Sequence, residues 1–355
     1  MIPVDLINGR RTDQVYGTSK YTTEIFKRIN DIAIRRIEYP QVGTTRLVDG
    51  AVKRTIYPFI VKKEIKKNSI KHITNQDLAF LLNLIDLRPS IVTCYDLIPV
   101  AYYHNNSMYW RMNLKGMQKA DHIITISEFS KKEIIRLTGY PADRISVIYP
   151  GVDTERYFPR HNRTVLEQYG IAPEDPVIMY TGSEEPRKNL SLVLRALAHL
   201  KKEMPGIKFL KVGSPQMGGD RKSLENLITD LGLVDNVIFT GQVSEESLPL
   251  FFNAADLFVF PSYYEGFGLP PLEAMACGCP VIAADTTSLP EVVGDAGILI
   301  RPDDLDGITA AIHRMIIDSQ LKNSMIANGL GQIKKFSWEV AADKTENVYL
   351  RFAGY

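Results

Sequence analysis

Two glutamates separated by eight positions flank a glycine-rich turn in residues 260–284, FPSYYEGFGLPPLEAMACGCPVIAA. Glu265 precedes Gly266 and Gly268, Glu273 follows them, and the apolar segments on both sides have the composition of buried strands. The residues after the glycines are helix formers, which predicts a helix N-terminus just behind the turn. The unpaired N–H groups and the dipole of such a terminus favour an anion.

The two carboxylates limit what this anion can be. Pro270 and Pro271 suit the first positions of the helix, because a missing N–H costs nothing there. Glu273 would then lie in the first turn and Glu265 just before it, so that both carboxylates reach one ligand. Two acids would repel a phosphate unless they bind another part of the ligand. Sugar hydroxyls are the natural candidates for that part.

Length and composition set the broad class. With 355 residues, 45% hydrophobic and 23% charged, the chain has room for two ordinary globular domains. No apolar stretch approaches the roughly 18 residues that span a bilayer, and residues 1–11 lack the apolar core of a signal peptide. We therefore expect a soluble, cytoplasmic protein.

The three cysteines are too few for a disulfide framework, which fits a reducing compartment. Cys277 and Cys279 have the spacing of metal ligands, but no histidine lies near them and both belong to an apolar run. Buried thiols are therefore predicted for Cys94, Cys277 and Cys279, rather than a zinc site.

The charge is distributed unevenly along the chain. Residues 1–150 contain 23 basic and 14 acidic residues, a net charge of +9, and the remainder contains 42 − 23 = 19 basic and 41 − 14 = 27 acidic residues, a net charge of −8. Much of the basic excess lies in residues 53–71, where lysine and arginine are interspersed with Ile, Tyr and Phe. This segment is either a solvated helix face or a surface for an anionic partner, such as a phospholipid leaflet or a phosphate-bearing acceptor. No nucleic-acid motif accompanies it, so no nucleic-acid partner is expected.

Strand, polar loop and helix patterns follow one another along the whole chain, which predicts parallel sheets with right-handed crossovers. The pattern restarts after a polar connection near residues 153–159, so we predict two Rossmann-like domains facing a cleft. Their ligands should bind beyond the carboxyl ends of the strands. The chain contains no G-x-G-x-x-G and no P-loop sequence. Strands are predicted at residues 2–7, 90–94, 122–126, 145–148, 177–180, 208–212, 236–240, 257–260 and 281–284.

Two loops of the N-terminal half lead into helices. Gly17, Thr18 and Ser19 precede an amphipathic stretch, where they are either a ligand loop or a turn with a helix cap. Ser127 is the predicted N-cap of the helix after residues 122–126.

Nine short motifs spread over nearly the whole chain carry a family resemblance: GTSKYT, YDLIP, ISEFSKKEI, YPGVD, EPRKNL, GQVSEESLP, FPSYYEGFGLPPLEAMACGCPVI, SLPEVVGDAG and FSW. By these motifs the sequence resembles the retaining GT-B glycosyltransferases of family 4, and within them the mannosyltransferase-like group 1 members. The resemblance implies the GT-B fold, with an acceptor domain at residues 1–155, a nucleotide-sugar domain at 156–336 and a C-terminal helix at 337–355 that crosses back.

The resemblance implies roles for particular residues. Glu273 would bind the ribose hydroxyls, Glu265 would lie near the donor sugar, and Lys188 with Arg187 would neutralise the diphosphate leaving group. A metal or other cofactor is then not required. A helix-capping salt bridge is the alternative for the two cations. Further donor contacts are implied for Gly266, Phe267, Gly268, Leu269, Gly17, Thr18, Gly182, Gly213, Gln242 and Val243, and contacts on the sugar or acceptor side for Tyr95, Asp96 and Ser127.

Two positions depart from the family pattern. Ser183 stands where many members carry a second cation, which Arg187 would have to replace. Tyr95 stands where a histidine is common, and a tyrosine can donate a hydrogen bond to sugar but cannot act as an imidazole. Asp96 then either contacts substrate or structures its loop.

The implied reaction is transfer of a hexose, with retention, from a nucleotide diphosphate sugar to a glycan, lipid-linked or small-molecule hydroxyl. GDP-mannose is the favoured donor, and a same-face attack is favoured over a double displacement through Glu265. The alternatives are a phosphorylase or epimerase with the same fold, and a nucleotide-sugar-binding subunit without activity. An aromatic cluster either stacks on the acceptor glycan or packs under a loop; it comprises Tyr95, Tyr102, Tyr103, Tyr109 and Trp110.

Overall fold

The computed structural model describes residues 1–10, 18–39, 46–160, 162–215 and 219–353. The chain divides into two compact units. The first unit comprises Met1–Gly151 and Ser337–Tyr355, and the second comprises Val152–Phe336. The last helix therefore belongs to the first unit, and the division falls after Gly151.

The first unit is built on a six-stranded parallel sheet with strand order β2-β1-β3-β4-β5-β6. Every residue of β3, β4 and β5 is buried, as expected for the central strands of a parallel sheet, and their sequences are rich in β-branched residues but also bury polar side chains such as Lys71 and His72. The strands are β1 (Ile2–Arg10), β2 (Ile32–Tyr39), β3 (Ile70–Ile73), β4 (Ser90–Cys94), β5 (His122–Thr125) and β6 (Ile145–Val147). The helices are α1 (Thr18–Phe26), α2 (Arg46–Thr55), α3 (Tyr57–Glu64), α4 (Ile98–Ala101), α5 (Met108–Met117) and α6 (Glu128–Thr138), with α14 (Trp338–Leu350) returning from the C-terminus.

Buried rings and hydrogen bonds attach α14 to the first unit. Trp338 packs against Tyr21 of α1 with 5.9 Å between ring centroids. The Tyr349 hydroxyl lies 2.6 Å from Nδ1 of His72, whose Nε2 lies 2.7 Å from the Thr93 hydroxyl. Burial lowers the pKa of His72 to about 3, so this ring is neutral at pH 7.

The second unit has a six-stranded parallel sheet with order β12-β11-β10-β7-β8-β9. From β7 the chain proceeds outward through β8 and β9, and it then returns to add β10, β11 and β12 on the other side. The neighbours β7 and β10 are therefore the topological switch point, where α/β sheets bind ligands at the carboxyl ends of the strands. The strands are β7 (Val177–Thr181), β8 (Lys208–Val212), β9 (Val237–Gly241), β10 (Leu257–Phe260), β11 (Val281–Ala284) and β12 (Ile298–Ile300). The helices are α7 (Leu190–Leu200), α8 (Arg221–Asp230), α9 (Leu248–Ala254), α10 (Leu269–Ala276), α11 (Leu289–Val293), α12 (Leu305–Ile317) and α13 (Ser319–Gln332).

The predicted strands agree with the observed ones to within a residue or two, except that β1 extends to Arg10 rather than residue 7. All three cysteines are free and buried, which confirms the prediction of buried thiols. Burial raises the pKa of Cys277 to about 12. Across the part of the chain that the structure describes, no helix is both long and apolar enough to cross a bilayer, and no three His, Cys, Asp or Glu side chains are grouped to hold a metal ion.

Candidate active site

The glycine-rich turn leads from β10 into α10. Gly268 is the N-cap residue with φ of 118°, and a Cβ there would lie 2.9 Å from Cδ2 of Leu289, so glycine is required on both grounds. The predicted helix N-terminus is therefore confirmed. Glu273 was predicted in the first turn, and this was wrong: α10 begins at Leu269, ahead of both prolines, which makes Glu273 its fifth residue. The Glu273 side chain still lies close to the turn and is largely buried.

Two residues after β11 fix the backbone of the turn. The Thr287 hydroxyl accepts a 3.1 Å hydrogen bond from the Glu265 N–H. The Ser288 hydroxyl donates to the carbonyls of Glu265 and Phe267, at 3.0 and 2.8 Å. Sequence reasoning missed both residues as supports of the site. The available signals were the position of both residues after a predicted strand and, for Ser288, its place at the start of the motif SLPEVVGDAG.

The loop after β7 brings Lys188 to the same place. A short turn, Pro186–Lys188, is followed by Asn189 in the left-handed conformation with φ of 57°. The Asn189 amide does not cap α7; it donates to the carbonyls of Pro261 and Pro302, at 3.3 and 2.7 Å. Asn189 therefore joins the β7 loop to the chain after β10, and sequence reasoning missed this role too.

Lys188, Arg187 and Glu265 meet at the switch point, and we call them the β7 cluster. Lys188 Nζ lies 2.6 Å from Oε1 of Glu265, and Arg187 Nη1 lies 3.4 Å from the same oxygen. Arg187 also donates to the Tyr264 carbonyl at 3.0 Å and to Glu185 at 2.9 Å. The three residues predicted to act together from separate motifs are thus brought together by the fold.

Burial and charge shift the ionisation of this cluster. Burial disfavours the Glu265 carboxylate, but the cations of Lys188 and Arg187 outweigh burial and lower the pKa of Glu265. Burial also lowers the pKa of Lys188, which the attraction of Glu265 only partly opposes and the repulsion of Arg187 reinforces. Glu265 is therefore an anion at pH 7, a state suited to holding a cation or a sugar hydroxyl and unsuited to donating a proton.

The carboxyl ends of β7, β8 and β9 present closely spaced backbone groups. The Gly182 N–H donates to the Val212 carbonyl at 3.4 Å, and the Gly213 N–H donates to the Gly241 carbonyl at 2.8 Å. Gly182 has φ of 140°, and a Cβ there would lie 2.7 Å from the Tyr180 hydroxyl. Gln242 and Val243 directly follow β9; Gln242 is exposed and Val243 is half-buried. Their predicted contacts with a nucleotide base stay predictions.

A second charged cluster, which sequence reasoning missed, lies beside the carboxyl ends of β7 and β8. Lys211 of β8 and Glu184 of the β7 loop have fully buried side chains whose charged atoms are 2.7 Å apart. Arg221 of α8 binds Glu184 through two hydrogen bonds of 2.5 and 2.8 Å and stacks on Phe239 with its guanidinium 3.8 Å from the ring centroid. We call Glu184, Lys211 and Arg221 the β8 cluster.

In the first unit, the structure gives the predicted sugar-side residues local roles. Tyr95 is buried, and its hydroxyl lies 2.8 Å from that of Thr22. Asp96 accepts a 3.0 Å hydrogen bond from the Ile98 N–H, as its loop-structuring interpretation requires. Ser127 caps α6 by accepting a 2.9 Å hydrogen bond from the Ser130 N–H, which confirms the predicted cap. Direct contact of these three residues with a ligand stays a prediction.

The predicted ligand loop at residues 17–19 is not covered. Gly17 and the side chains of Thr18 and Ser19 lie outside the described residues, and Thr18 is described only as the first residue of α1.

The predicted aromatic cluster does not form one surface. Trp110 is buried, whereas Tyr103 is 48% exposed and packs edge-on against Tyr102 with 5.0 Å between centroids. The Tyr109 ring lies under Lys53 and Arg54, at 5.4 and 5.2 Å from its centroid.

Family models match both parts of the chain. Residues 162–332 match the model of glycosyl transferases group 1, and residues 40–156 match glycosyltransferase family 4. The first match contains both clusters and the whole of α10.

Two curated relatives are bacterial mannosyltransferases. The O-antigen chain mannosyltransferase B of Escherichia coli is 38% identical over 265 residues, which are 73% of this chain and 68% of that protein. The serotype-specific mannosyltransferase WbdA of Escherichia coli is 31% identical over 264 residues, which are 70% of this chain but 32% of that protein.

Solved structures share the fold over nearly the whole length. The HepE protein of Anabaena, solved in complex with UDP-glucose, has a TM-score of 0.83 and 20% identity, covering 98% of this chain and 99% of its own. WaaG, a glycosyltransferase involved in lipopolysaccharide biosynthesis, has a TM-score of 0.75 and 15% identity, covering 98% of this chain and 99% of that one. The predicted α/β class and GT-B fold are confirmed.

Proposed function

Because this chain belongs to the group 1 glycosyltransferases, we propose that it transfers mannose, with retention, from GDP-mannose to a hydroxyl of a glycan or lipid-linked acceptor. The β7 cluster carries this proposal. It holds two cations and one carboxylate at the switch point of the sheet. In a nucleotide diphosphate sugar the diphosphate is bonded to the sugar, so the cations would meet the diphosphate and the carboxylate the adjoining sugar.

The identity of the sugar rests on two observations. The E. coli relatives at 38% and 31% identity are named as mannosyltransferases. Glu265 and Glu273 supply carboxylates on the two sides of the glycine turn, and carboxylates bind sugar and ribose hydroxyls as hydrogen-bond acceptors. A nucleotide sugar laid along the turn would bring its ribose to Glu273 and its hexose to Glu265.

The proposed mechanism uses the cations rather than a protein base. The bond from the anomeric carbon to the diphosphate oxygen breaks, the acceptor oxygen bonds to the same face of that carbon, and the departing oxygen takes the acceptor proton. Lys188 and Arg187 stabilise the negative charge that develops on the diphosphate, which lets the reaction proceed without a metal. Since Glu265 is already paired with both cations, it orients the lysine and the sugar rather than attacking carbon.

The acceptor side of the proposal belongs to the first unit. At the carboxyl end of its sheet, Asn8 of β1 donates a 2.9 Å hydrogen bond to Glu38 of β2, and Lys53 of α2 pairs with Asp77, which follows β3. Such groups suit a polyhydroxylated acceptor. The proposal includes peripheral contact of this unit with an anionic membrane.

A donor screen tests the proposal. Thermal unfolding would be measured with GDP-mannose, GDP, UDP-glucose and UDP-galactose, because a bound ligand stabilises the folded protein by mass action. GDP-mannose should raise Tm most, and Glu273→Gln should reduce that gain. Transfer of labelled mannose should then yield an α-linked product and persist in EDTA. Stabilisation by UDP-sugars alone, a β-linked product or loss of transfer in EDTA would each overturn the corresponding part.

A further inference from the structure

The ammonium of Lys188 lies over the face of an aromatic ring. Its Nζ is 5.1 Å from the centroid of Phe260, the last residue of β10, and a cation is attracted to a ring face within about 6 Å. The face carries the negative part of the ring quadrupole. Phe260 is 1% exposed and Lys188 is 8% exposed, so water screens this attraction only weakly.

Two neighbouring rings fix the orientation of Phe260. Phe258 stands two residues earlier in β10 and therefore on the same face of the sheet, and its ring packs at 23° to that of Phe260 with 5.8 Å between centroids. Tyr180 of β7 packs at 19° with 5.9 Å between centroids, and its hydroxyl donates to the Ser183 carbonyl at 2.9 Å. The sheet therefore holds the ring in place under Lys188.

The other surroundings of Lys188 give its charged form limited support. Burial lowers the pKa of Lys188; Glu265 and Glu185 oppose this effect, and the repulsion of Arg187 reinforces it. The 2.6 Å bond to Glu265 is the one hydrogen bond of the ammonium among the described residues. A ring face adds attraction without an oxygen atom that would compete with a ligand for the ammonium N–H groups.

We propose that Phe260 is a positioning residue for Lys188: the face of its ring holds the ammonium at the strand end where the diphosphate would bind. An aliphatic side chain would bury the lysine to the same extent but would not attract its charge. A second carboxylate would attract the charge but would also repel the diphosphate. The inference rests on the proposed role of the β7 cluster, but the ionisation of Lys188 can be measured without any donor.

Nuclear magnetic resonance of the complete protein, with carbon-13 in its lysine side chains, tests the inference. The Cε signal of Lys188, identified by its absence from Lys188→Met, reports the ionisation of the ammonium during a pH titration. Phe260→Leu keeps an apolar side chain but removes the ring. The pKa of Lys188 should therefore fall, with an acid dissociation constant about tenfold larger than in the wild type.

Phe258→Leu is the matched control for the loss of a buried ring. It makes the same substitution in the same strand, at a residue that is also buried and that packs on Phe252 and Phe260. Both leucine variants should lose similar stability in urea unfolding. Only Phe260→Leu should lower the pKa of Lys188.

Fluorinated phenylalanines in place of Phe260 give the finer probe. Fluorine withdraws electrons from the ring face with little change in size, so these variants keep the packing even if the leucine variant folds poorly. The pKa of Lys188 should fall stepwise as one, two and three fluorines are added to the ring.

Transfer kinetics connect this pair to the proposed reaction. With GDP-mannose as donor, Phe260→Leu should lower kcat/KM about fivefold at pH 7. Activity requires the charged lysine and is lost as the pH rises through its pKa, so the alkaline fall of kcat/KM should begin at a lower pH than in the wild type. Phe258→Leu should keep the wild-type pH profile.

Two results would overturn the inference. If Phe260→Leu lowers the pKa of Lys188 no more than Phe258→Leu does, Phe260 serves packing alone. If the leucine variant responds but the fluorinated series shows no trend, the cause is a change in burial rather than the ring face. A wild-type protein that transfers no sugar from any nucleotide sugar would refute the proposed function instead, and the titration of Lys188 would still decide the role of Phe260.

Discussion

The second unit contains two buried Lys–Glu–Arg clusters, at neighbouring strand ends, that differ in how the lysine is used. In the β8 cluster, Lys211 donates to Glu184 at 2.7 Å, to the Gly213 carbonyl at 2.7 Å and to the Ser214 carbonyl at 3.0 Å. An ammonium has three N–H donors, so all of them are engaged. Lys211 and Glu184 have no exposed side-chain area.

The β7 cluster is less complete. Among the described residues, Lys188 makes one hydrogen bond, to Glu265 at 2.6 Å, and its ammonium otherwise lies 5.1 Å from the centroid of the Phe260 ring. The side chains of Lys188 and Glu265 keep 10% and 11% of their area exposed. Two donors of a partly buried ammonium are thus available at the strand ends where a ligand is expected.

The difference separates a structural cluster from a candidate binding cluster of the same composition. A buried ammonium that lacks hydrogen-bond partners lowers the stability of the folded protein. Proteins retain such groups at sites where a ligand supplies the missing partners. The β8 cluster instead clamps the β8 loop to the β7 loop: the Glu184 N–H donates to the Pro215 carbonyl at 3.2 Å, and the Asp220 N–H donates to the Glu184 carbonyl at 3.2 Å. It should hold the loop that carries Gly213 in place without touching the diphosphate.

Replacing Lys188 should have the largest effect on catalysis. Lys188→Met keeps the length of the side chain and removes the charge, so kcat/KM for mannosyl transfer should fall by about 10²- to 10³-fold, the usual cost of removing one donor aimed at developing charge. Steady-state kinetics with GDP-mannose would measure this loss. Lys201→Met, at a half-buried lysine at the end of α7, is the control and should retain activity. Near-normal transfer by Lys188→Met would refute the assignment of the β7 cluster.

Replacing Lys211 should instead lower stability. Lys211→Met leaves the Glu184 carboxylate buried with Arg221 alone, and breaking a buried pair in this way costs about 3 kcal/mol of unfolding free energy. Urea unfolding followed by far-UV circular dichroism would measure it, since both tryptophans, Trp110 and Trp338, belong to the first unit and do not report on the second.

The kinetics of Lys211→Met complete the comparison. The folded variant should turn over at the wild-type kcat with saturating donor, while KM for the donor rises because the loop at Gly213 is less well held. A variant of normal stability that fails at saturating donor would place the β8 cluster in the reaction itself and would remove the distinction between the two clusters.

Acid should affect the two glutamates to different extents. Lys211 and Arg221 outweigh burial and lower the pKa of Glu184, as Lys188 and Arg187 do for Glu265. A carboxyl group with a lowered folded-state pKa contributes stability above its unfolded pKa of about 4.3, and this contribution is lost as the pH falls through the folded value. Unfolding free energy should therefore drop below about pH 4.

Glutamine substitutions separate the two contributions to acid sensitivity. Glu184→Gln should flatten the pH dependence more than Glu265→Gln, because Glu184 accepts three short hydrogen bonds from cations and Glu265 accepts one. Urea unfolding of both variants at a series of pH values would measure this. A larger flattening in Glu265→Gln would reverse the assignment of which cluster supports the fold.

The sequence specified the β7 cluster better than the β8 cluster, for a physical reason. Glu265 and Lys188 each stand in a motif with an evident local role, at a glycine turn and at a loop before a helix. Lys211 lies inside KFLKV, a strand whose apolar pattern gives no sign that one lysine turns inward. Glu184 lies in the loop after β7, and it reaches Lys211 because the register of β7 on β8 pairs Tyr180 with Lys211. That register depends on how the whole sheet packs.

Nine of the twelve strands that the structure describes, their parallel pairing and the two-part organisation could be predicted because they depend on local patterns and short connections. Strands β2, β3 and β12 were not predicted. The position of Glu273 could not be predicted, because it depends on whether α10 begins at or before the prolines, which Ser288 and the Gly268 conformation decide. The contact between the hydroxyls of Tyr95 and Thr22 of α1, at 2.8 Å, could not be predicted either, because it depends on how α1 packs on the sheet.

The arginines give the smallest expected effect and the finest test of the comparison. Arg221→Lys keeps the charge but loses the two-point bond to Glu184 and the stacking on Phe239, which should cost about 1 kcal/mol of stability. Donor KM should not change, because Lys211 still donates to the carbonyls of Gly213 and Ser214 and holds their loop. Arg187→Lys also keeps the charge, but a lysine cannot reach Glu185, Glu265 and the Tyr264 carbonyl together. It should raise KM for GDP-mannose several-fold with little loss of stability. A loss of stability with unchanged KM in both variants would mean that both arginines serve the fold alone.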